Sequence, residues 1–215
     1  MPQTSSDFRV LIFAKAPQPG AVKTRLIPAL GAQGAAALHA RLAEHTLATA
    51  CAAGASVVEL HCAPDASDAF FHLCGGKYGV ALAAQTGGDL GDRMFAAFAK
   101  ALSTTSYTIL IGTDCPGLTV QHLHQARLAL TDGNDAVFVP AEDGGYALIG
   151  LSRCDARLFE DMAWGRAEVM AQTRARLREL RWRWRELDTL WDVDRPADYR
   201  RLMESGLLAP GRAHA

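Results

Sequence analysis

The sequence predicts an α/β fold: one domain built on a mostly parallel sheet covered by helices on both faces. Three observations carry this expectation. Short apolar runs alternate with helical stretches through the first two-thirds of the chain. The run Tyr107-Thr108-Ile109-Leu110-Ile111-Gly112 reads as a central strand, ended by Thr113-Asp114-Cys115-Pro116. The 215 residues show no linker, repeat or low-complexity segment beyond an alanine-rich first helix, which suits one domain with its own core.

Taken in order, Val10-Leu11-Ile12-Phe13 is a buried strand, and Gly31 to Ala53 is a helix on which Leu38, Leu42 and Leu47 keep a helical period until Gly54 closes it. Ser56 to Cys62 is a second strand. Asp65 to Leu73 is a short helix capped near Asp65 or Ser67, with Gly75-Gly76 as punctuation. Val80 to Ala83 is a third strand, and Met94 to Leu102 a helix after the glycine-rich loop Gln85 to Arg93. Thr119 to Leu130 is helical. Asp135 to Pro140 and Tyr146 to Leu151 are strands around the turn Glu142-Asp143-Gly144-Gly145. Ala167 to Glu179 is a basic amphipathic helix, Trp182 to Arg185 alternates like a half-buried strand, and Ala197 to Met203 is a last short helix. Residues 8–206 are expected to form the domain, with flexible ends at 1–7 and 207–215.

Charge and composition exclude several classes. Lysine and arginine number 22 against 23 aspartates and glutamates, so no global field recruits nucleic acid or an anionic membrane, and any anion binding is local. The five cysteines form no C-x-x-C pair and suit reduced thiols. No apolar stretch approaches the ~20 residues of a membrane span, and the first residues lack a signal peptide's basic and apolar regions, so a cytoplasmic protein is expected. Oligomeric state has no signature in the sequence.

Chemistry concentrates at the ends of the predicted strands. Lys15-Ala16-Pro17-Gln18-Pro19-Gly20-Ala21-Val22-Lys23-Thr24-Arg25-Leu26 follows the first strand. Two prolines stiffen it, Gly20 bares the backbone, and Lys15, Lys23 and Arg25 supply cations around the Thr24 hydroxyl. This suits a phosphate chain, or else an ordinary solvated loop. It is not a Walker A loop, because Val22 rather than glycine precedes Lys23-Thr24. Ligands of open α/β sheets sit beyond the carboxyl ends of the strands, so this loop, the Gln85 loop and Asp114 are expected to share one crevice.

Within that crevice Asp114 is a candidate ligand of Mg²⁺ or Mn²⁺, or a turn former. Asp192 and Asp194, alternate residues of an extended segment, aim two carboxylates at one point or cap the last helix. Asp143 stands near an acceptor hydroxyl, as base or orienting group, with Gly144, Gly145 and Tyr146 lining the acceptor pocket; plain hairpin punctuation is the competing reading. Gln85 and the backbone at Gly88 and Asp89 read a base edge or sugar hydroxyls. Arg93 serves phosphate or pairs with Asp89 or Asp92. His122 and His124 face different sides of one helix, against a metal role. The Arg174–Arg185 run is read as a solvated basic face rather than an RNA stripe. Trp164-Gly165 is either a mobile flap or packing.

The segments at 15–26, 85–94, 111–118, 143–151 and 192–198 occur in this order and together resemble the small bacterial nucleotide-diphospho-sugar transferase-like proteins, some labelled arsenosugar-biosynthesis glycosyltransferases. The chain is more distantly similar to phospholactate and molybdenum-cofactor guanylyltransferases. The resemblance implies a Rossmann-like GT-A fold, a nucleotide or nucleotide-sugar partner with a small-molecule acceptor, and a divalent metal. It places Gly20, Lys23 and Arg25 on phosphates and Asp114 on the metal, with Asp192 or Asp194 as second ligand. Many GT-A glycosyltransferases carry Asp-x-Asp at the central strand, whereas this chain has Thr113-Asp114-Cys115, closer to nucleotidyltransferases. Glycosyl transfer with Lys23, Asp114 and Asp143 as catalytic groups is the leading expectation. Nucleotidyl transfer is its rival, and a non-catalytic nucleotide-binding module a weaker one.

Overall fold

The structure, a computed structural model, describes residues 8–208. Its centre is a seven-stranded sheet in the order β3-β2-β1-β4-β6-β5-β7. β1 (Phe8–Lys15) pairs in parallel with β2 (Val57–Ala63) and with β4 (Tyr107–Ile111), and β2 pairs in parallel with β3 (Ala81–Ala84). β6 (Tyr146–Leu151) lies between β4 and β5 (Ala136–Pro140) and runs antiparallel to both, while β7 (Trp184–Glu186) is parallel to β5. One strand therefore runs against a sheet that is otherwise parallel. The turn 141–145 that reverses the chain into β6 sits at the carboxyl end of β5, on the same sheet edge as the ends of β1 and β4. This is how a hairpin turn comes to carry site residues.

Strands buried on both faces must send alternate residues into two cores. Val10, Ile12, Leu60, Ile109 and Ile111 pack on one face against Leu47 of α1 (Ile27–Ala52), Phe71 of α2 (Ala69–Tyr78) and Leu123 of α4 (Val120–Thr131). Leu11, Leu110, Phe138 and Ile149 pack on the other against Met94 and Phe98 of α3 (Leu90–Leu102) and Met170 and Leu177 of α5 (Val169–Glu179). A third cluster, Leu26, Leu38, Leu42, Val193 and Leu202, pins α6 (Pro196–Ser205) and the segment before it onto α1. That cluster brings residues 192–194 to the site.

Two local expectations are corrected. Gly75-Gly76 does not break α2; the helix runs through it to Gly79, whose φ of 65° forms the left-handed C-cap. Its N-cap is Asp68, which accepts from Phe70 N, while Asp65 instead accepts from Ser67 N and Oγ. A short helical turn from Ile27 precedes Gly31, whose non-helical φ 69° and ψ 165° separate it from the long part of α1, so the expected start at Gly31 holds for that long segment. Leu207 and Leu208 pack against the third cluster, and residues 1–7 and 209–215, where flexible ends are expected, lie outside the described residues.

Candidate active site

The register Ile12↔Ile111 in parallel strands carries both chains off the sheet at one level, so Lys15 and Asp114 emerge side by side. The loop after Lys15 is held tight, with Ala16 N donating to Ala63 O at 2.8 Å and Ala21 N to Gln18 O at 3.0 Å. Gly20 takes φ +84° with open space where a Cβ would stand, leaving its backbone approachable. Lys23 takes φ +49°, rare outside glycine, and this turns its side chain inward.

The buried Lys23 Nζ lies 2.5 Å from Asp114 Oδ1 and donates to the Val193 carbonyl at 2.7 Å. Val193 N in turn donates to Asp114 O at 2.9 Å. Lys23 thus clamps the C-terminal segment to the end of β4. His39, on α1, places Nδ1 4.0 Å from Asp114 Oδ1 and Nε2 3.0 Å from the Lys15 carbonyl. Burial holds its imidazole below the usual value, so the ring is neutral at pH 7.

Asp192 and Asp194 flank the fully buried Val193 but serve neighbouring cavities, not one point. Asp194 pairs with Arg25, whereas Asp192 shares a cavity with Asp114 and Asp143. Burial, then the charges of Asp143, Asp114 and Asp194, push the Asp192 carboxyl up to about 6. The Asp143 carboxylate accepts from Gly145 N at 2.9 Å, an Asx turn that fixes its direction.

The Gln85 loop divides its expected roles. Gln85 Nε2 donates to His61 O at 2.9 Å and Ala14 O at 3.3 Å, so its amide group holds β1 and β2 together and leaves only its carbonyl oxygen for a ligand. Asp89 is the N-cap of α3 in a reciprocal box with Asp92, and Gly88 N also donates to Asp92. Arg93 pairs with neither acid; it donates to Gly88 O at 3.1 Å and lines a cavity with Gln85 and Gly87.

The far wall is packed. A Cβ on Gly91 would stand 2.5 Å from Phe159 O and 2.8 Å from Trp164 Nε1, and one on Gly144 (φ +91°) would overlap the Ala167 carbonyl. Met170 N donates to Gly144 O at 2.8 Å. Trp164-Gly165 is therefore part of a segment pressed onto both α3 and the 143–145 turn.

Two cavities of about 450 Å³ each meet at Asp114 and Lys15. One is the richer in cations, with Lys15, Lys23 and Arg25 set against Asp114 and Asp194, and with Thr24, His39 and Gln85 also among its walls. The other is acidic and aromatic, with Asp143, Asp192, Gly145, Tyr146, Trp164 and Arg166. The Tyr146 phenol is raised by burial and stays neutral, its hydroxyl 3.9 Å from Met94 Sδ.

Residues 27–166 match the family described as uncharacterized proteins conserved in bacteria, DUF2064. The chain belongs to the DUF2064 family. The matched span of this DUF2064 chain holds His39, Gln85, Asp114 and Asp143, but neither the Lys15–Leu26 loop nor Asp192 and Asp194. A crystal structure from Desulfovibrio desulfuricans G20, of a protein provisionally named a nucleotide-diphospho-sugar transferase, is similar at TM-score 0.86 with 30% identity, over 98% of this chain and 92% of that one. CMP:2-keto-3-deoxy-manno-octonic acid synthetase in complex with CTP shares the fold at TM-score 0.56 and 12% identity, covering 93% and 99% of the two chains. Glucosyl-3-phosphoglycerate synthase from Mycobacterium tuberculosis, with Mn²⁺, UDP and glucosyl-3-phosphoglycerate, does so at 0.54 and 10%, covering 95% and 78%. No curated protein matches the chain. The single-domain α/β fold with a mostly parallel sheet is thus shared with nucleotide-diphospho-sugar transferase neighbours.

Outside the cleft of the DUF2064 protein the histidines of α4 and the basic run have partners within the fold. His122 Nδ1 lies 2.8 Å from Thr119 Oγ1 at the start of α4, and His124 Nε2 lies 3.1 Å from Ala53 O. Arg174 makes a two-pronged pair with Glu186, and Leu177 and Trp182 are buried in the second core. No described helix is long and apolar enough to cross a membrane. Sequence reasoning missed His39, Arg166 and the Val193 backbone. His39 sits in an alanine-rich helix, where a lone histidine carries no motif and only its facing partner gives it meaning.

Proposed function

We propose that this DUF2064 protein is a metal-dependent transferase acting on a nucleotide substrate, moving a sugar from a nucleotide-sugar donor to a small acceptor. One observation carries the reading: a cavity richer in cations and a cavity richer in acids and aromatic rings share Asp114 and Lys15 as their common wall. A transferase needs that division, with a phosphate chain on one side, a hydroxyl acceptor on the other, and the transferred group where they meet. The names of its structural neighbours, transferases of sugars and nucleotides, support it.

The donor set suits a divalent cation, Mg²⁺ or Mn²⁺. Asp114 and Asp192 face one cavity, and the Asp192 carboxyl is raised partly by the neighbouring acids that a dication would offset. Among the described residues no three histidine, cysteine, aspartate or glutamate side chains form a metal-binding group by themselves. That is the expected pattern for a metal held by one or two carboxylates together with substrate phosphates. When bound, the cation supplies Lewis-acid stabilisation of charge on the departing nucleoside diphosphate.

The chain's own residues do the rest. Arg25, Thr24 and Lys15 line the phosphate side, and the Lys23 ammonium has one N–H beyond those given to Asp114 and Val193. Gln85, with its NH₂ spent, offers a carbonyl acceptor to a base or ribose donor. Asp143, oriented by Gly145 N, is placed to take or hold the acceptor hydroxyl's proton, and Tyr146 and Trp164 form an apolar wall for the sugar or acceptor. A second reading, nucleotidyl transfer with pyrophosphate release, is favoured by the single carboxylate at the end of β4, where Thr113 and Cys115 flank Asp114.

Isothermal titration of UDP- and GDP-sugars with Mn²⁺ tests the proposal. Binding heat is expected in wild type and lost in Asp114→Asn. Absence of binding by any nucleotide in wild type overturns it. Pyrophosphate release from a panel of triphosphates and phosphorylated acceptors, without sugar transfer, would select the second reading.

A further inference from the structure

We infer that Gly112 sets the size of the group this protein transfers, because the side chain it lacks leaves the space in which a sugar ring lies against Phe13 and Leu90. This rests on the nucleotide-sugar reading above and deepens it by naming the residues that hold the sugar.

Among the described residues, five line both cavities: Phe13, Lys15, Leu90, Gly112 and Asp114. They mark the junction where a donor's transferred group lies. A glycine in a fold commonly answers to one of two demands, a left-handed backbone or a neighbour too close for a Cβ. Gly112 meets neither. Its φ lies outside the left-handed region, and a Cβ built on it meets no atom within 4 Å. The other glycines on these walls differ: Gly165 has φ +74°, and a Cβ on Gly145 would stand 3.2 Å from Asp143 Oδ1. Gly112 N donates to Ala147 O at 3.3 Å, so the residue keeps its place at the end of β4. Alanine fits this backbone and loses less entropy on folding. What a side chain would remove is space in the cleft.

Strand register shows what borders that space. Phe13 stands level with His61 of β2, and the two rings stack with centroids 5.4 Å apart. One step past the Ile12↔Ile111 pair, its other flank comes level with Gly112. Phe13 is therefore covered on one side and left half-buried. Leu90, in the first turn of α3, is 43% exposed where it lines the same junction. Two apolar side chains suit the carbon face of a sugar ring, whereas a phosphate laid on them would lose water without gaining a partner. Lys15 and Asp114 offer a donor and an acceptor to the ring hydroxyls.

Isothermal titration of the full chain with Mn²⁺ tests this, using UDP, GDP and their hexose esters as probes. Gly112→Ala is expected to melt at or above the wild-type temperature and to keep its affinity for UDP and GDP. Its affinity for the nucleotide sugar that wild type binds is expected to fall about tenfold, and further in Gly112→Val. Leu90→Ala should weaken the nucleotide sugar and spare the diphosphate; no change there overturns the apolar contact. Equal nucleotide-sugar affinity in wild type and both Gly112 variants overturns the inference and leaves the proposed function standing. So does an equal loss for diphosphate and nucleotide sugar, which assigns Gly112 to the phosphates. Diphosphate binding by wild type without binding of any UDP- or GDP-hexose overturns it as well. If Gly112→Val does not fold, Gly112→Ala decides alone. Absence of binding by any nucleotide in wild type overturns both the inference and the proposed function.

Discussion

Lys23 and Asp114 form an ion pair of 2.5 Å in which the lysine side chain is 4% exposed and the aspartate 53%. The same ammonium donates to Val193 O, so a single cation ties together the loop after β1, the end of β4 and the C-terminal segment. The asymmetry in exposure sets the energetics. Water can replace the lysine at Asp114 but reaches the Val193 carbonyl less easily, so most of the cost of losing Lys23 falls on that carbonyl.

Lys23→Met is therefore expected to destabilise the fold by about 1–3 kcal/mol in urea unfolding, the range for one unsatisfied acceptor. Asp114 would lose its resident cation, so Mn²⁺ affinity measured without nucleotide should rise while nucleotide affinity falls at least tenfold. Unchanged Mn²⁺ affinity would show that lysine and metal do not compete for this carboxylate.

Asp192 gives a pH signature. Its carboxyl is raised to about 6 by burial and then by the charges of Asp143, Asp114 and Asp194. The folded chain thus holds a proton that the unfolded chain releases near pH 4. The associated stability is present below about pH 4 and lost as pH rises through about 6. Asp192→Asn removes the loss. At pH 7.5 it should stabilise the metal-free protein by about 1 kcal/mol, after allowance for solvent screening, or about 2–4 °C in Tm. At pH 4 the variant and wild type should melt together.

Gly144 and Gly20 both hold positive φ, at +91° and +84°, but only Gly144 is crowded, against Ala167. Gly20→Ala should cost about 1 kcal/mol, the strain of a left-handed residue alone. Gly144→Ala must also push the 164–170 segment away and should cost at least about 2 kcal/mol. Nucleotide binding should survive Gly144→Ala while acceptor-dependent turnover drops. Equal melting temperatures for the two variants would refute the packing argument.

Gln85→Glu replaces an NH₂ that serves two backbone carbonyls with a carboxylate oxygen facing them. Loss of about 2–3 kcal/mol is expected, because two acceptors lose a donor and meet a negative charge. Gln85→Leu, which removes the donor without adding charge, should be milder. Chemical denaturation of both variants checks the order.

Much of this architecture is legible in the sequence. Val10–Phe13 and Tyr107–Ile111 announce themselves as buried strands, and the proline- and cation-rich loop with Asp114 marks a strand-end cleft. Asp143 was legible as a residue on a glycine turn, but not the reason it reaches the cleft. That reason is the insertion of β6 between β4 and β5, a pairing choice that apolar alternation does not encode. Asp89 caps α3, a role the sequence alone does not separate from a ligand contact because both use the same residue type. Gly75-Gly76 misled because packing under Leu82 keeps glycine in a helix that propensity alone would break.

By itself, then, the sequence determined the fold class, the order of elements and the cation-rich loop, since periods of two and 3.6 residues and glycine–proline punctuation are properties of near neighbours. Only the tertiary structure decided that Lys23 meets Asp114, that His39 faces the same carboxylate, and that Asp192 and Asp194 part into different cavities. Those relations depend on strand register and on the burial of Val193 against α1, and both are settled by long-range packing rather than by any local pattern.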